Sequence, residues 1–121
     1  MSVESAVYAQ LSTYAGLIAL VSTRIYPVKM PQNYVLPAIL YFKVTNNPVN
    51  TVSGTGTKEN SRIQIDCYAG SYSEVKAISV QVRAGMAAAT SYKSLVLSEQ
   101  DLDFETALDV YRVTIDFSVW L

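Results

Sequence analysis

The chain has no histidine and only one cysteine among its 121 residues. Without an imidazole the commonest general base and metal ligand is missing. No catalytic triad and no cysteine–histidine metal cluster can be assembled. A single cysteine makes no internal disulfide, and Cys67 falls on the inward side of an alternating segment, where a thiol is a small buried hydrophobe rather than a redox group. Charge is scarce too: Asp, Glu, Lys and Arg together make 16% of the chain, against about 25% in ordinary globular proteins. A small domain with so few charges predicts that part of its surface is hidden against other subunits. The net charge of −1 and a pI near 5.2 argue against a basic face for nucleic acid. The longest unbroken apolar run, around Leu17 to Val21, falls far short of the roughly 20 residues that cross a bilayer. No basic segment precedes an apolar run at the start, so the reading is a soluble chain with no classical export signal and no membrane partner.

What is present is a hydrophobic fraction of 50%, enough for one domain over residues 1–121 with a core of its own. Two segments organise it. In Tyr111 to Leu121, Val113, Ile115, Phe117, Val119 and Leu121 alternate with Arg112, Thr114, Asp116, Ser118 and Trp120. In Arg62 to Ala69, Ile63, Ile65, Cys67 and Ala69 alternate with Arg62, Gln64, Asp66 and Tyr68. Period-two alternation of this kind marks strands with one buried face. Each segment carries an Arg four positions before an Asp. Antiparallel pairing with Arg62 opposite Asp116, Gln64 opposite Thr114 and Asp66 opposite Arg112 would match both charge pairs, whereas parallel pairing would oppose like charges at up to about 1 kcal/mol each. These two segments are therefore expected to be antiparallel neighbours at the centre of a sheet.

Ahead of them, Val3, Val7, Leu11, Tyr14, Ile18 and Val21 recur at helical spacing, with Ser2 available as a cap, and predict one helix reaching about Val21. Tyr8 and Tyr14 on it read as core or interface rather than as a binding stripe. Residues 23 to 36, with Pro27, Pro31, Gln32 and Asn33, read as an irregular connection. Pro37 then opens a strand over Ala38 to Thr45. Asn46 to Ser61 is the least apolar stretch and reads as a long loop or an extended hairpin arm, a candidate assembly element through Asn46, Asn47, Pro48, Ser53, Gly54, Gly56 and Lys58. Loops of that length are uncommon unless functional or ordered by a partner. Ser73 to Ala89 is a second helix, capped by Ser71 or Ser73, with Val75, Ile78, Val82 and Met86 as its buried stripe. Ala84, Gly85 and Ala87 to Ala89 allow close approach of another backbone. Ser94 to Ser98 is a short strand, and Glu99, Asp101, Asp103 and Glu105 follow as an acidic turn region.

Two chemical motifs are excluded by spacing. Ser53 to Lys58 is glycine-containing, but the G-x-x-x-x-G-K-[ST] pattern is absent and a strand rather than a helix follows, so no phosphate cradle is formed. The acids from Glu99 to Glu105 have no glycine at the sixth place and no glutamate at the twelfth of a calcium loop. The carboxylates left for an enzyme are Asp101, Asp103 and Glu105, or Asp66 and Asp116, and the latter two are more simply arginine partners. The expectation is no enzyme and no cofactor.

The order of features resembles a known family. The helix ending in Leu20 and Val21, then Arg24-Ile25-Tyr26-Pro27, Leu36-Pro37-Ala38-Ile39-Leu40-Tyr41, the polar loop, Arg62-Ile63-Gln64-Ile65-Asp66-Cys67-Tyr68-Ala69, the long helix, and Tyr111-Arg112-Val113-Thr114-Ile115-Asp116-Phe117-Ser118-Val119-Trp120 are similar to the small tail-completion or tail-terminator proteins of long-tailed bacteriophages. The resemblance covers essentially the whole chain. It implies an α+β subunit that forms a ring, typically a homohexamer, on the head-proximal end of the tail tube, where it stops tube growth and offers the surface on which the head docks. Its partners would be its own copies, the tail tube protein and a head-completion or connector protein, with DNA only as passing cargo. Its place would be the virion tail, assembled in the bacterial host cytoplasm. A head-to-tail connector protein of the neck is the nearest alternative, and a small monomeric ligand-binding domain or enzyme is the alternative of another class.

The expected architecture is α+β in two layers: a mainly antiparallel sheet of about four strands in the order 1-2-4-3, the long helix across one face, and the N-terminal helix beside it. Glu99, Asp101, Asp103 and Glu105 are candidate channel-facing acids, since negative charge lets DNA pass without sticking.

Overall fold

The computed structural model describes residues 3–29, 35–51, 54–90, 92–105 and 110–120, with the backbone alone at 46–51, 54–59 and 101–105. The elements follow as α1 (Val3–Thr13), α2 (Ala15–Val21), β1 (Ile25–Pro27), β2 (Ala38–Thr51), β3 (Gly54–Ala69), α3 (Tyr72–Ala88), β4 (Lys93–Glu105) and β5 (Val110–Trp120). One mixed sheet runs β1-β2-β3-β5-β4. The class is α+β, but strand count and order differ from the expected four in order 1-2-4-3. The difference is an edge strand inside the connection read as irregular. β1 lies parallel to β2, Ile25 beside Ile39 and Pro27 beside Tyr41, and three residues are too few to show a period. It is tied by its neighbour's backbone and by Arg24, whose Nε donates to the Pro37 carbonyl at 2.7 Å. The Arg24–Pro27 and Leu36–Tyr41 motifs are thus one structural unit.

The N-terminal helix is two helices rather than one. The chain leaves helical geometry at Tyr14 (φ −78°, ψ 112°), just after Ser12 and Thr13, whose hydroxyls donate back to the Ala9 carbonyl at 3.4 and 2.7 Å. Hydroxyl side chains that bond the preceding turn weaken a helix at that point. The bend seats the Tyr14 ring on α3: a Cβ added at Gly85 would stand 3.2 Å from Tyr14 Cδ2, and Gln10 Nε2 donates to the Gly85 carbonyl at 2.8 Å. The small residue in α3 therefore serves an approach within the chain. α3 itself starts where Ser71 Oγ accepts from the Glu74 N–H at 3.3 Å, the capping geometry that satisfies one of the free donors of the first turn.

All three helices lie on one face of the sheet. Ile63, Ile65 and Cys67 of β3 with Val113, Ile115, Phe117 and Val119 of β5 meet Val7, Leu11, Leu17, Val21, Val75, Ile78, Val82 and Met86, each at most 1% exposed. This is the volume-filling half of the fold.

β3 and β5 are antiparallel neighbours in a register two residues from the expected one: Arg62 stands opposite Ser118, Gln64 opposite Asp116, Asp66 opposite Thr114 and Tyr68 opposite Arg112. An even shift keeps every side chain on its face, so the apolar pattern does not oppose it. The polar face favours it, as its hydrogen bonds show. β4 also departs from expectation: it continues as a strand to Glu105 in place of an acidic turn after Ser98, with irregularities between Val96 and Ser98 and between Leu102 and Glu105. Acidic residues are poor in strands, but a charged edge strand is a common arrangement.

Candidate assembly surfaces

The helix-free face of the sheet carries a cross-strand network. Asp66, 2% exposed, takes three donors: Arg112 Nη2 at 2.7 Å on Oδ2, and Thr114 Oγ1 at 2.9 Å and Gln64 Nε2 at 3.1 Å on Oδ1. A carboxylate taken out of water needs this many partners. The expected register would have set Arg112 directly opposite and moved Thr114 away. Arginine is long enough to reach the diagonal neighbour while threonine is not, so the shifted register satisfies both. Asp116 Oδ2 likewise takes Arg62 Nη2 at 2.5 Å and Ser98 Oγ at 3.4 Å. The Arg112 guanidinium also lies 5.5 Å over the Tyr68 ring, a cation–π contact. Asp116 Oδ1 and Arg112 Nε are buried without a hydrogen-bond partner.

This network pairs its charges two against two. The Cys67 thiol on the opposite face is pushed well up by burial, with the Asp66 and Glu99 carboxylates adding to it, which holds it protonated and unreactive at neutral pH. Among the described residues, no group of three or more His, Cys, Asp or Glu side chains could hold a metal ion, and no helix is long and apolar enough to cross a membrane.

Of the candidate channel acids, Glu99 turns toward α3, where Lys76 Nζ lies 3.3 Å from Oε2 and Arg83 Nε 3.2 Å from Oε1. The second contact is an ion pair off the N–H direction, since Oε1 has no hydrogen-bond partner. Glu99 is thus a clamp between the edge strand and the helix rather than a free charge. Asp101 stands opposite Val113 and Glu105 opposite Val110, with Asp103 between them on β4. The side chains of these three lie outside the described residues.

The candidate assembly stretch is an extended hairpin in its backbone. β2 and β3 stay paired from Thr45 with Arg62 out to Thr51 with Gly54, while β5 accompanies β3 only as far as Asn60. Beyond Asn60 the sheet narrows to a two-stranded arm bearing Pro48, Gly54, Gly56 and Lys58, while Asn46 and Asn47 stand at its base opposite Ser61 and Asn60, where β5 is still present. Ser53 lies outside the described residues, as do the arm's side chains from 46 to 59. A two-stranded ribbon is marginally stable alone.

A surface that the sequence reading missed lies at the β4 edge. Leu95 (62% exposed), Val96 (42%) and Leu97 (50%) stand out with Trp120 (44%) of β5. Consecutive strand residues point to opposite faces, so a three-residue apolar run beside a single helix-covered face had to expose at least one of them. That signal was in the sequence.

A mixed sheet covered on one face, with a paired polar face, a projecting arm and an apolar edge, has the make-up of an assembly subunit. The chain belongs to the family of tail completion protein gp17, whose profile matches residues 5–121. It is a phage structural virion protein by that membership, of a kind that is not enzymatic. No curated protein matches it in sequence. Among solved structures it is similar to a chain described as "Virion of native gene transfer agent (GTA) particle", at 19% identity and a TM-score of 0.71, over 98% of this chain and 93% of that one. At that identity the likeness is one of fold.

Proposed function

We propose that copies of this chain close into a homohexameric ring that ends the tail tube on its head side and offers the head-docking surface. The observation that carries this reading is the two-stranded arm beyond Asn60, which has no third strand among the described residues and needs a second molecule to order it. The low charge fraction of 16% supports burial of both flanks, as heterologous contacts in a closed ring require. The similar fold of a chain in a virion particle supports the setting. Its partners are further copies, the tail tube protein and a head-completion or connector protein. DNA passes as cargo, and Asp101, Asp103 and Glu105 are the acids proposed to face the channel. Assembly takes place in the host cytoplasm, and the product is the virion tail.

Sedimentation of the purified chain, followed by electron microscopy with tail tubes, tests it. The expected result is a discrete closed oligomer seated on one end of the tube. A chain that stays monomeric at high concentration and leaves tube ends bare overturns it, and a ring that binds the head-side connector but not the tube makes this a neck protein.

A further inference from the structure

We infer that neighbouring copies join through their sheet edges, β4 of one protomer adding antiparallel to the outer edge of β2 in the next. This inference rests on the ring reading and specifies its interface. The sheet runs β1-β2-β3-β5-β4, with β1 parallel to β2 and every other neighbouring pair antiparallel. Counted through those pairings, β4 and β2 point in opposite directions. A rotation about an axis roughly along the strands keeps every strand's direction, so it sets β4 of one copy beside β2 of the next in antiparallel sense. The topology is therefore suited to closing a ring edge to edge.

Both edges are open among the described residues. β1 covers β2 only from Ile39 to Tyr41, which leaves Phe42 onward unpaired on that side until Pro48, where an N–H is missing. β4 pairs on one side alone. Exposed edges are usually blunted by lysine, proline or a bulge. Of the four register irregularities, two on each edge strand, the one at Val44 on β2 and the one at Leu97 on β4 each leave an apolar residue exposed, at 43% and 50%. Leu95, Val96 and, from the neighbouring β5, Trp120 add to them, so the edges present apolar contact even though Pro48 and the irregularities lie on the same strands. A second copy is the occupant for which the chain carries both halves of the contact.

Cysteine pairing tests this cleanly, because Cys67 is the chain's one cysteine and is buried. Cysteine is placed at Val44 or Thr45 together with one of Leu95, Val96 or Leu97, all exposed positions, and the protein is oxidised and run without reductant. The expected result is that at least one double variant gives a ladder of covalent multimers ending at the ring number, while the matching single variants stay unlinked. Disulfides need Cα atoms within about 7 Å, so the ladder reports direct neighbours. If wild type sediments as a ring and no combination gives the ladder, the edge contact is wrong and the ring stands. If L95C, V96C or L97C alone gives dimers, the edges meet β4 to β4 as an isologous pair and the inference is overturned. A monomeric wild type removes the ring itself. The variant pair L95K/L97K and V44K gives an independent reading: each alone loses the ring, and mixing the two restores a dimer through the one edge contact left intact.

Discussion

The two faces of the central strands hold the same backbone by different means. On the helix side Ile63, Ile65, Ile115 and Phe117 are buried by volume, and any apolar side chain of similar size would serve. On the open side Asp66 is as deeply buried as the core but survives only through Arg112, Thr114 and Gln64. The covered face asks for apolar volume, and the open face around Asp66 asks for particular donors. It is the open face that set the register, since the apolar side is indifferent to a two-residue shift.

The heaviest blow falls on the covered face. Phe117→Ala removes the largest fully buried side chain among the described residues and should destabilise by about 3–5 kcal/mol in urea unfolding, with Phe117→Leu losing far less. On the open face Arg112→Leu takes the paired cation from the buried Asp66 carboxylate and leaves it only Thr114 and Gln64. The full penalty for breaking a buried pair is about 3–5 kcal/mol. Because the Arg112 side chain is 27% exposed, a loss of about 2–4 kcal/mol is expected after allowing for solvent screening. The double variant Asp66→Leu/Arg112→Leu should recover a large part of that loss. A double as damaged as the single would mean the pair acts through shape rather than charge.

The same contrast decided what could be read in advance. Alternation placed Ile63 to Ala69 and Val113 to Val119 on their faces and made the two strands antiparallel, because a buried face leaves a period-two trace. Helical spacing located α3 for a similar reason, and Ser71 was one of the two serines able to cap it. The register was not legible in the same way: it depends on the reach of arginine against threonine around one buried carboxylate, and pairing charges directly opposite took no account of side-chain length. β1 left no period in three residues, and its partner is fixed by the Arg24 bond to a carbonyl thirteen residues on. The first half of β4 was legible as the strand Ser94 to Ser98, but its continuation to Glu105 was hidden because Glu99 reads as a turn acid until Lys76 and Arg83 are seen beside it.

Alkaline titration probes the covered side by its chemistry. The Cys67 thiol and the Tyr92 hydroxyl have their pKa values raised above ordinary values of 9.0 and 10.0, in both cases chiefly by burial. Their neutral forms are favoured in the folded state. Stability from this source is fully present below the unfolded values and is lost as pH rises from about 9 upward, when the unfolded chain ionises and the folded one does not. Unfolding free energy measured across that range should fall with pH, and Cys67→Ala should flatten the first part of the slope although it lowers stability at neutral pH. An unchanged slope would mean the thiol is not held neutral by its burial.

The smallest effect is expected at the other arginine of the open face. Arg62 meets Asp116 at 2.5 Å, but its side chain is 50% exposed where that of Asp116 is 12% exposed, and water already solvates much of the guanidinium. Exposed pairs are worth about 0.2–1 kcal/mol, so Arg62→Ala should cost no more than about 1 kcal/mol in the monomer and less in high salt. Asp116 keeps Ser98 as a partner, which limits the loss further. A cost at Arg62 equal to that at Arg112 would show that a partner or a second copy covers the polar face in the state measured, and sedimentation of the same sample would tell which.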